Sequence, residues 1–426
     1  MRGFYLVLHY VLIWAYLAAP IVAVLRSTRR RRSPPLPEAA ASGVWNPSSV
    51  GVIGTFVAGT VMGVSLSVVY AVAVKGTVSI AQAVWASYFA TALLLLLRGF
   101  DWVLRAIVWR ISVLPPAPGE RPRVRRGVAM VANVVRVAVL FGIGLPFVMA
   151  AIVTYRPKVL PNDDPMTQLG FAFEPVSFAA TDGVRISGWW LPARGRTDRT
   201  VIVCHGLGAN KSNQLIMARR LVPAGYNVLA IDLRAHGESG GQLTSFGDLE
   251  RHDVLGAVRF LRGNRPQAAQ RIFGVGASQG AAALIAAAAS DTPEGQAIDA
   301  LAVYGTYDDL GRLVHTLARR TFLPPVDWLV ERLALPIASI HAGADLTRFR
   351  PADLVMKLWP RPILVIHGVQ DQIIDFSHGQ RLFQSATQPK ESLWIERGDH
   401  NSIINSEFAA EEVRRFFDRA EPVPVI

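Results

Sequence analysis

From Phe171 onward, this chain of 426 residues repeats one arrangement: a short β-branched or aliphatic run, then a longer stretch with helical spacing. Val176–Phe178 and Val184–Trp190 flank Thr181-Asp182-Gly183, and an Asp-Gly pair between two such runs predicts a hairpin. Val201–Cys204, Val228–Ile231, Ile272–Val275, Leu301–Val303, Ile363–Ile366 and Leu393–Ile395 follow in order. Apolar runs of this length without polar alternation suit strands buried on both faces. Their alternation with helices predicts an α/β fold with a mostly parallel sheet flanked by helices. Ligands bind such sheets at the carboxyl ends of the strands, so the residues just past each run are where function is expected.

Five of those ends carry reactive residues. His205-Gly206-Leu207-Gly208 follows the third run, and Asp232-Leu233-Arg234-Ala235-His236-Gly237-Glu238-Ser239 follows the fourth. Gly276-Ala277-Ser278-Gln279-Gly280 follows the fifth and leads into the alanine-rich helix Ala281–Ala289. His367-Gly368-Val369-Gln370-Asp371 and Glu396-Arg397-Gly398-Asp399-His400-Asn401 end the last two. This pattern points to nucleophilic acyl transfer. A serine on a sharp strand-to-helix turn needs small neighbours, which Gly276 and Gly280 supply. Its hydroxyl is a weak nucleophile at neutral pH and needs a base such as His400, oriented by a carboxylate such as Asp371. The developing oxyanion needs two donors, expected at the backbone N–H groups of Leu207 and Gln279.

Bland alternatives exist at each position. Ser278 could be a plain helix N-cap. Asp375 is a rival acid, and His378 a rival base, although it opens a helix-like stretch instead of following a strand. His205 and His236 read as residues that order loops, and Cys204 as a small core residue.

The segment from about Val176 to Phe417 resembles the α/β-hydrolase superfamily, in the branch of serine hydrolases similar to monoacylglycerol lipases and serine aminopeptidases. The resemblance rests on His205-Gly206, Asp232-x-Arg234-x-His236-Gly237-x-Ser239, Gly276–Gly280, His367-Gly368-x-x-Asp371 and Gly398-Asp399-His400. It implies Ser278 as nucleophile, Asp371 as acid and His400 as base. Ala235 stands where relatives often carry glycine, and Asp375 where proline is frequent after the acid, so the two local turns are expected to differ.

The N-terminal third is a different material. Four uncharged runs at 4–25, 50–74, 78–97 and 137–153 approach the roughly 20 residues that cross a bilayer as helix. The formal net charge of +12 belongs wholly to this region: residues 1–154 hold 15 Lys and Arg against three acids, and the remainder is neutral by count. Thirteen arginines sit between the first and second runs and between the third and fourth, against a single lysine between the second and third. That bias predicts both arginine loops in the cytoplasm and the region after the fourth span outside it. The expected domains are a transmembrane region at 1–154, a linker at 155–170 and a hydrolase domain at 171–420 with a lid insertion at about 305–357.

A neutral catalytic part removes the motive for a nucleic-acid partner. The expected partners are a lipid bilayer and a small or lipid-like acyl substrate. One cysteine, no metal-ligand spacing and no glycine-rich phosphate loop leave no cofactor expected. The expected activity is cleavage of an ester, thioester or related acyl bond in a multi-pass membrane protein. A peptidase of the same fold and a non-catalytic binding domain are the alternatives.

Overall fold

The computed structural model describes residues 49–73 and 158–420 throughout, and single positions between 83 and 155. The chain divides into two compact units, residues 1–151 with 324–334, and residues 152–323 with 335–426.

In the first unit, α1 (Ser49–Ala73) coincides with the second uncharged run and holds no charged residue. Its side chains are described without a break only over 53–65. Among the described residues no helix is long and apolar enough to cross a membrane. The spans expected at 4–25, 78–97 and 137–153 lie wholly or in part outside the described residues.

The second unit is built on an eight-stranded sheet, and every strand expected from the sequence is present. After α2 (Pro165–Leu169) come β1 (Glu174–Ala179), β2 (Arg185–Leu191), β3 (Arg199–Cys204), α3 (Leu215–Leu221) and β4 (Asn227–Ile231). Then follow α4 (Arg251–Asn264), β5 (Arg271–Ala277), α5 (Gln279–Ala288), α6 (Pro293–Gln296) and β6 (Ile298–Tyr304). Between β6 and β7 (Ile363–Gly368) run α7 (Leu310–Thr321), α8 (Val326–Ala342) and α9 (Pro351–Val355). The chain closes with α10 (Phe376–Ser385), β8 (Lys390–Ile395), α11 (His400–Ile404) and α12 (Glu407–Arg419). Spatial order is β1-β2-β4-β3-β5-β6-β7-β8. The β1/β2 hairpin and the β2/β4 pair are antiparallel, and every later pairing is parallel.

Side chains alternate across the sheet with the two-residue period of a strand. Ile202, Cys204, Leu229 and Ile231 face one buried layer, which α4 and α5 cover. Val201, Val203, Val228, Ala230, Phe273 and Val275 face the other, covered by α3 and α12. The Cys204 thiol lies inside the first layer, where burial pushes its pKa up.

All ten residues of α5 are buried. Its alanines let the helix lie close to β5, and the nearest approach is at the glycines. A Cβ on Gly276 would stand 2.7 Å from the Gly280 carbonyl carbon, and one on Gly280 would stand 2.6 Å from the Cys204 oxygen and collide with the His205 oxygen. Gly280→Ala is therefore expected to destabilise the domain by about 1–3 kcal/mol through overpacking. Gly263 in α4 is exposed with open space around it, and Gly263→Ala is expected to stabilise by about 0.5–1 kcal/mol. Urea titration of both variants reads the opposite signs.

Candidate active site

The end of β5 delivers Ser278 into a conformation that few side chains adopt. Its φ is 52° and ψ −115°, and among the described residues only Ala235 and Phe246 share a positive φ without being glycine. Such backbone costs on the order of 1–3 kcal/mol and persists only where neighbours fix it. Here the Ser278 N–H donates to the Tyr304 oxygen at 2.8 Å, and its own carbonyl accepts from Thr306 Oγ1 at 2.9 Å and from the Ala282 N–H at 3.2 Å. Ser278 makes no side-chain cap to α5, so the plain N-cap alternative does not describe it.

Asp371 and His400 come together because the loops after β7 and β8 lock to each other. Gln370 N–H donates to the Gly398 oxygen at 3.0 Å and Val369 N–H to the Ile395 oxygen at 3.0 Å, and a Cβ on Gly368 would stand 2.6 Å from the Gly398 carbonyl carbon. Asp371 Oδ1 accepts from the N–H groups of Ile373 (2.9 Å) and Ile374 (2.8 Å), which aims Oδ2 at His400. His400 Nδ1 meets Oδ2 at 2.6 Å, with both residues buried. A proton on Nδ1 satisfies that bond and leaves Nε2 as the basic atom. Asp399 caps α11 through the N–H groups of Asn401 and Ser402, which holds His400 at the first position of the helix.

The segment after β6 links the two halves of the site. Tyr304 and Thr306 hold Ser278, and between them a Cβ on Gly305 would stand 3.3 Å from His400 Nδ1. Among the described residues no hydrogen bond joins Ser278 Oγ to His400. Asp375, the rival acid, is instead the half-exposed N-cap of α10 and pairs with Arg320 at 3.1 Å. His378, the rival base, is buried against Asp308, which also receives Arg381 Nε at 3.1 Å. His367 donates from Nε2 to the Ile374 oxygen at 2.8 Å and stands 3.6 Å from Asp371, and burial lowers its pKa.

The loop after β3 runs beside the serine: a Cβ on Gly206 would stand 3.4 Å from Ser278 Cβ. His205 is fully buried. Its Nε2 accepts from the Leu233 N–H at 3.1 Å, so its proton sits on Nδ1 and is donated to the Gly206 oxygen at 2.7 Å. Burial, with a contribution from His236, holds its pKa down to about 3. The neutral ring thus fixes the peptide plane that bears the Leu207 N–H. Among the described residues, neither the Leu207 nor the Gln279 N–H donates a hydrogen bond within the chain.

Two buried networks had no signature in the sequence. Lys211 is fully buried, with Nζ 2.6 Å from Asp232 Oδ2 and 2.6 Å from Glu238 Oε2. Glu250, also fully buried, accepts from Thr244, Ser245 and Gly247, and Thr244 Oγ1 in turn accepts from the Gln279 amide at 2.7 Å. Among the described residues no group of three or more His, Cys, Asp or Glu could hold a metal ion.

Comparison with known proteins agrees with this architecture. The uncharacterized protein YfhR of Escherichia coli O157:H7 is 26% identical over 264 residues, 60% of this chain and 84% of that protein. The uncharacterized protein YqkD of Bacillus subtilis is 30% identical over 206 residues, 48% of this chain and 65% of that one. Among solved structures, the Pyrococcus furiosus esterase Pf2001 matches with a TM-score of 0.52 at 26% identity, covering 63% of this chain and 98% of the esterase. The model of the Alpha/beta hydrolase family matches residues 201–416, which take in all the candidate site residues. With half of its length matched and the eight-stranded sheet of that fold, this chain belongs to the alpha/beta hydrolase family.

Proposed function

We propose that the chain is a membrane-anchored serine hydrolase that cleaves an ester, thioester or related acyl bond through an acyl-enzyme. The observation that carries this reading is the 2.6 Å contact between Asp371 and His400, held by a loop lock whose neighbour, the β6 end, also grips the strained Ser278. A plain binding domain has no use for a serine in that conformation beside a carboxylate-oriented imidazole.

In this mechanism Ser278 Oγ attacks the acyl carbon as His400 Nε2 takes its proton, and Asp371 stabilises the resulting imidazolium. The tetrahedral oxyanion is received by the N–H groups of Leu207 and Gln279. Collapse expels the alcohol or thiol, which leaves with the proton from His400. Water, deprotonated by the same imidazole, then attacks the acyl-Ser278 ester; collapse breaks the bond to Ser278 Oγ, which takes the proton back from His400 as the acid is released. The likeness to the Pyrococcus furiosus esterase favours ester substrates. The insertion after β6 supplies the lid over a small or lipid-like acyl group, and its exposed Leu317 and Leu323 suit an apolar substrate.

Residues 1–154 would anchor the enzyme by spans at 4–25, 50–74, 78–97 and 137–153, and the segment at 155–170 would join them to the hydrolase domain at 171–420. Supporting this, Val57, Val61, Val64 and Val68 form an exposed stripe along α1 at helical spacing, while Gly59 packs against Thr91. The arginine loops would hold the hydrolase domain outside the cytoplasm.

With purified protein, p-nitrophenyl acyl esters are expected to turn over much faster than aminoacyl anilides; the reverse preference would favour a peptidase. Ser278→Ala is expected to lower kcat by about 10⁴-fold or more, and Asp371→Asn by about 10⁴-fold, with Tm within a few degrees of the parent. Ser278→Ala with unchanged turnover would refute the assignment. A C-terminal alkaline phosphatase fusion is expected to be active and a C-terminal GFP fusion dark, and a bright GFP would contradict the orientation.

A further inference from the structure

We propose that His236 is a positioning residue for acyl transfer, fixing the second of the two peptide planes that flank Leu207. The inference rests on the serine-hydrolase reading above and adds a residue to it.

The loops after β3 and β4 interlock through three backbone donors. Leu233 N–H reaches His205 Nε2 at 3.1 Å, Gly208 N–H reaches His236 Nε2 at 3.1 Å, and Lys211 N–H reaches Asp232 Oδ1 at 2.7 Å. Two of these bear directly on Leu207. His205 holds the Gly206–Leu207 peptide by its carbonyl, which turns the Leu207 N–H away from that ring. His236 holds the next peptide, Leu207–Gly208, by its N–H. With both planes fixed, neither φ nor ψ of Leu207 is free.

The second plane needs an anchor because Gly208 sits at φ +76° and has no side chain to restrain it. His236 is suited to the task. It is 2% exposed, and with Nε2 accepting, its Nδ1 proton is donated to the Arg234 oxygen at 2.8 Å. Arg234 is itself held, with its N–H on Asp253 Oδ2 at 2.7 Å and its guanidinium on Asp182 and Asp253. The imidazole therefore hangs from a clamped part of the loop after β4 and transmits that rigidity to the loop bearing the Leu207 donor. A small displacement of that donor weakens a bond made chiefly in the transition state, so the loss falls on kcat.

The test compares His236→Ala, which removes the acceptor, with His236→Gln, whose Oε1 can take the place of Nε2. Each is assayed on p-nitrophenyl butyrate and for inhibition by an aryl trifluoromethyl ketone, whose hemiketal oxyanion needs the same donors. His236→Ala is expected to lose about 10- to 100-fold in kcat with KM within about twofold, and to bind the ketone more weakly by a similar factor. His236→Gln is expected to recover most of both. Unchanged kcat and ketone affinity in His236→Ala, or a change in KM alone, would overturn the inference. So would a loss of about tenfold or more in His236→Gln with an unchanged Tm, and this variant decides the matter if His236→Ala does not fold. If Ser278→Ala proves as active as the parent, the serine-hydrolase reading itself fails. Normal wild-type turnover that is lost in Ser278→Ala, together with an indifferent His236, removes only the positioning role.

Discussion

Everything at the carboxyl edge of this sheet depends on how closely α5 approaches β3 and β5. Gly276 and Gly280 meet backbone to backbone, and Gly280 lies against the carbonyls of Cys204 and His205. That approach does two things at once. It forces the chain at Ser278 through a left-handed turn, and it sets the first N–H groups of α5 beside the loop that follows β3. A methyl group at Gly280 would push the helix away from both. The same alanine-rich surface that permits the approach also fills the core, so stability and site geometry share one packing interaction.

The remaining parts of the site are held by polar contacts around that fixed point. The β6 end grips Ser278 through Tyr304 and Thr306 and touches His400 through Gly305. The locked loops after β7 and β8 bring Asp371 to His400. Neutral imidazoles stitch the loops after β3 and β4, and burial of His205 keeps it in the state that can accept from Leu233. Each loop is thus held by defined hydrogen-bond partners on its neighbour.

Much of this was legible in the residues. The runs marked all eight strands: β3 to β7, buried on both faces, left an apolar signature, and the Asp-Gly turn marked the β1/β2 hairpin. Strand ends were harder: β8 starts at Lys390 and not at Leu393, since its polar first half pairs with β7 at the edge of the sheet. The order of Ser278, Asp371 and His400, each after its own strand, was readable because the fold puts strand ends on one side. His205 and His236 were read as ordering loops, and each accepts from a backbone N–H of a neighbouring loop. What could not be read was pairing at a distance. Lys211 is of a residue type almost never fully buried, and only the fold shows Asp232 and Glu238 waiting for it. His378 and Asp375 competed with His400 and Asp371 in sequence, and only the fold shows their separate partners, Asp308 and Arg320.

The central claim is that Ser278 is a nucleophile activated by its surroundings. The most direct measurement is intact-mass analysis of the full-length protein after incubation with a fluorophosphonate, followed by peptide mapping of the adduct. One phosphonyl group per chain on the peptide containing Ser278, and none after Asp371 or His400 is replaced, is the expected result. A folded protein that takes up no label, or takes it up at another serine, would contradict the account.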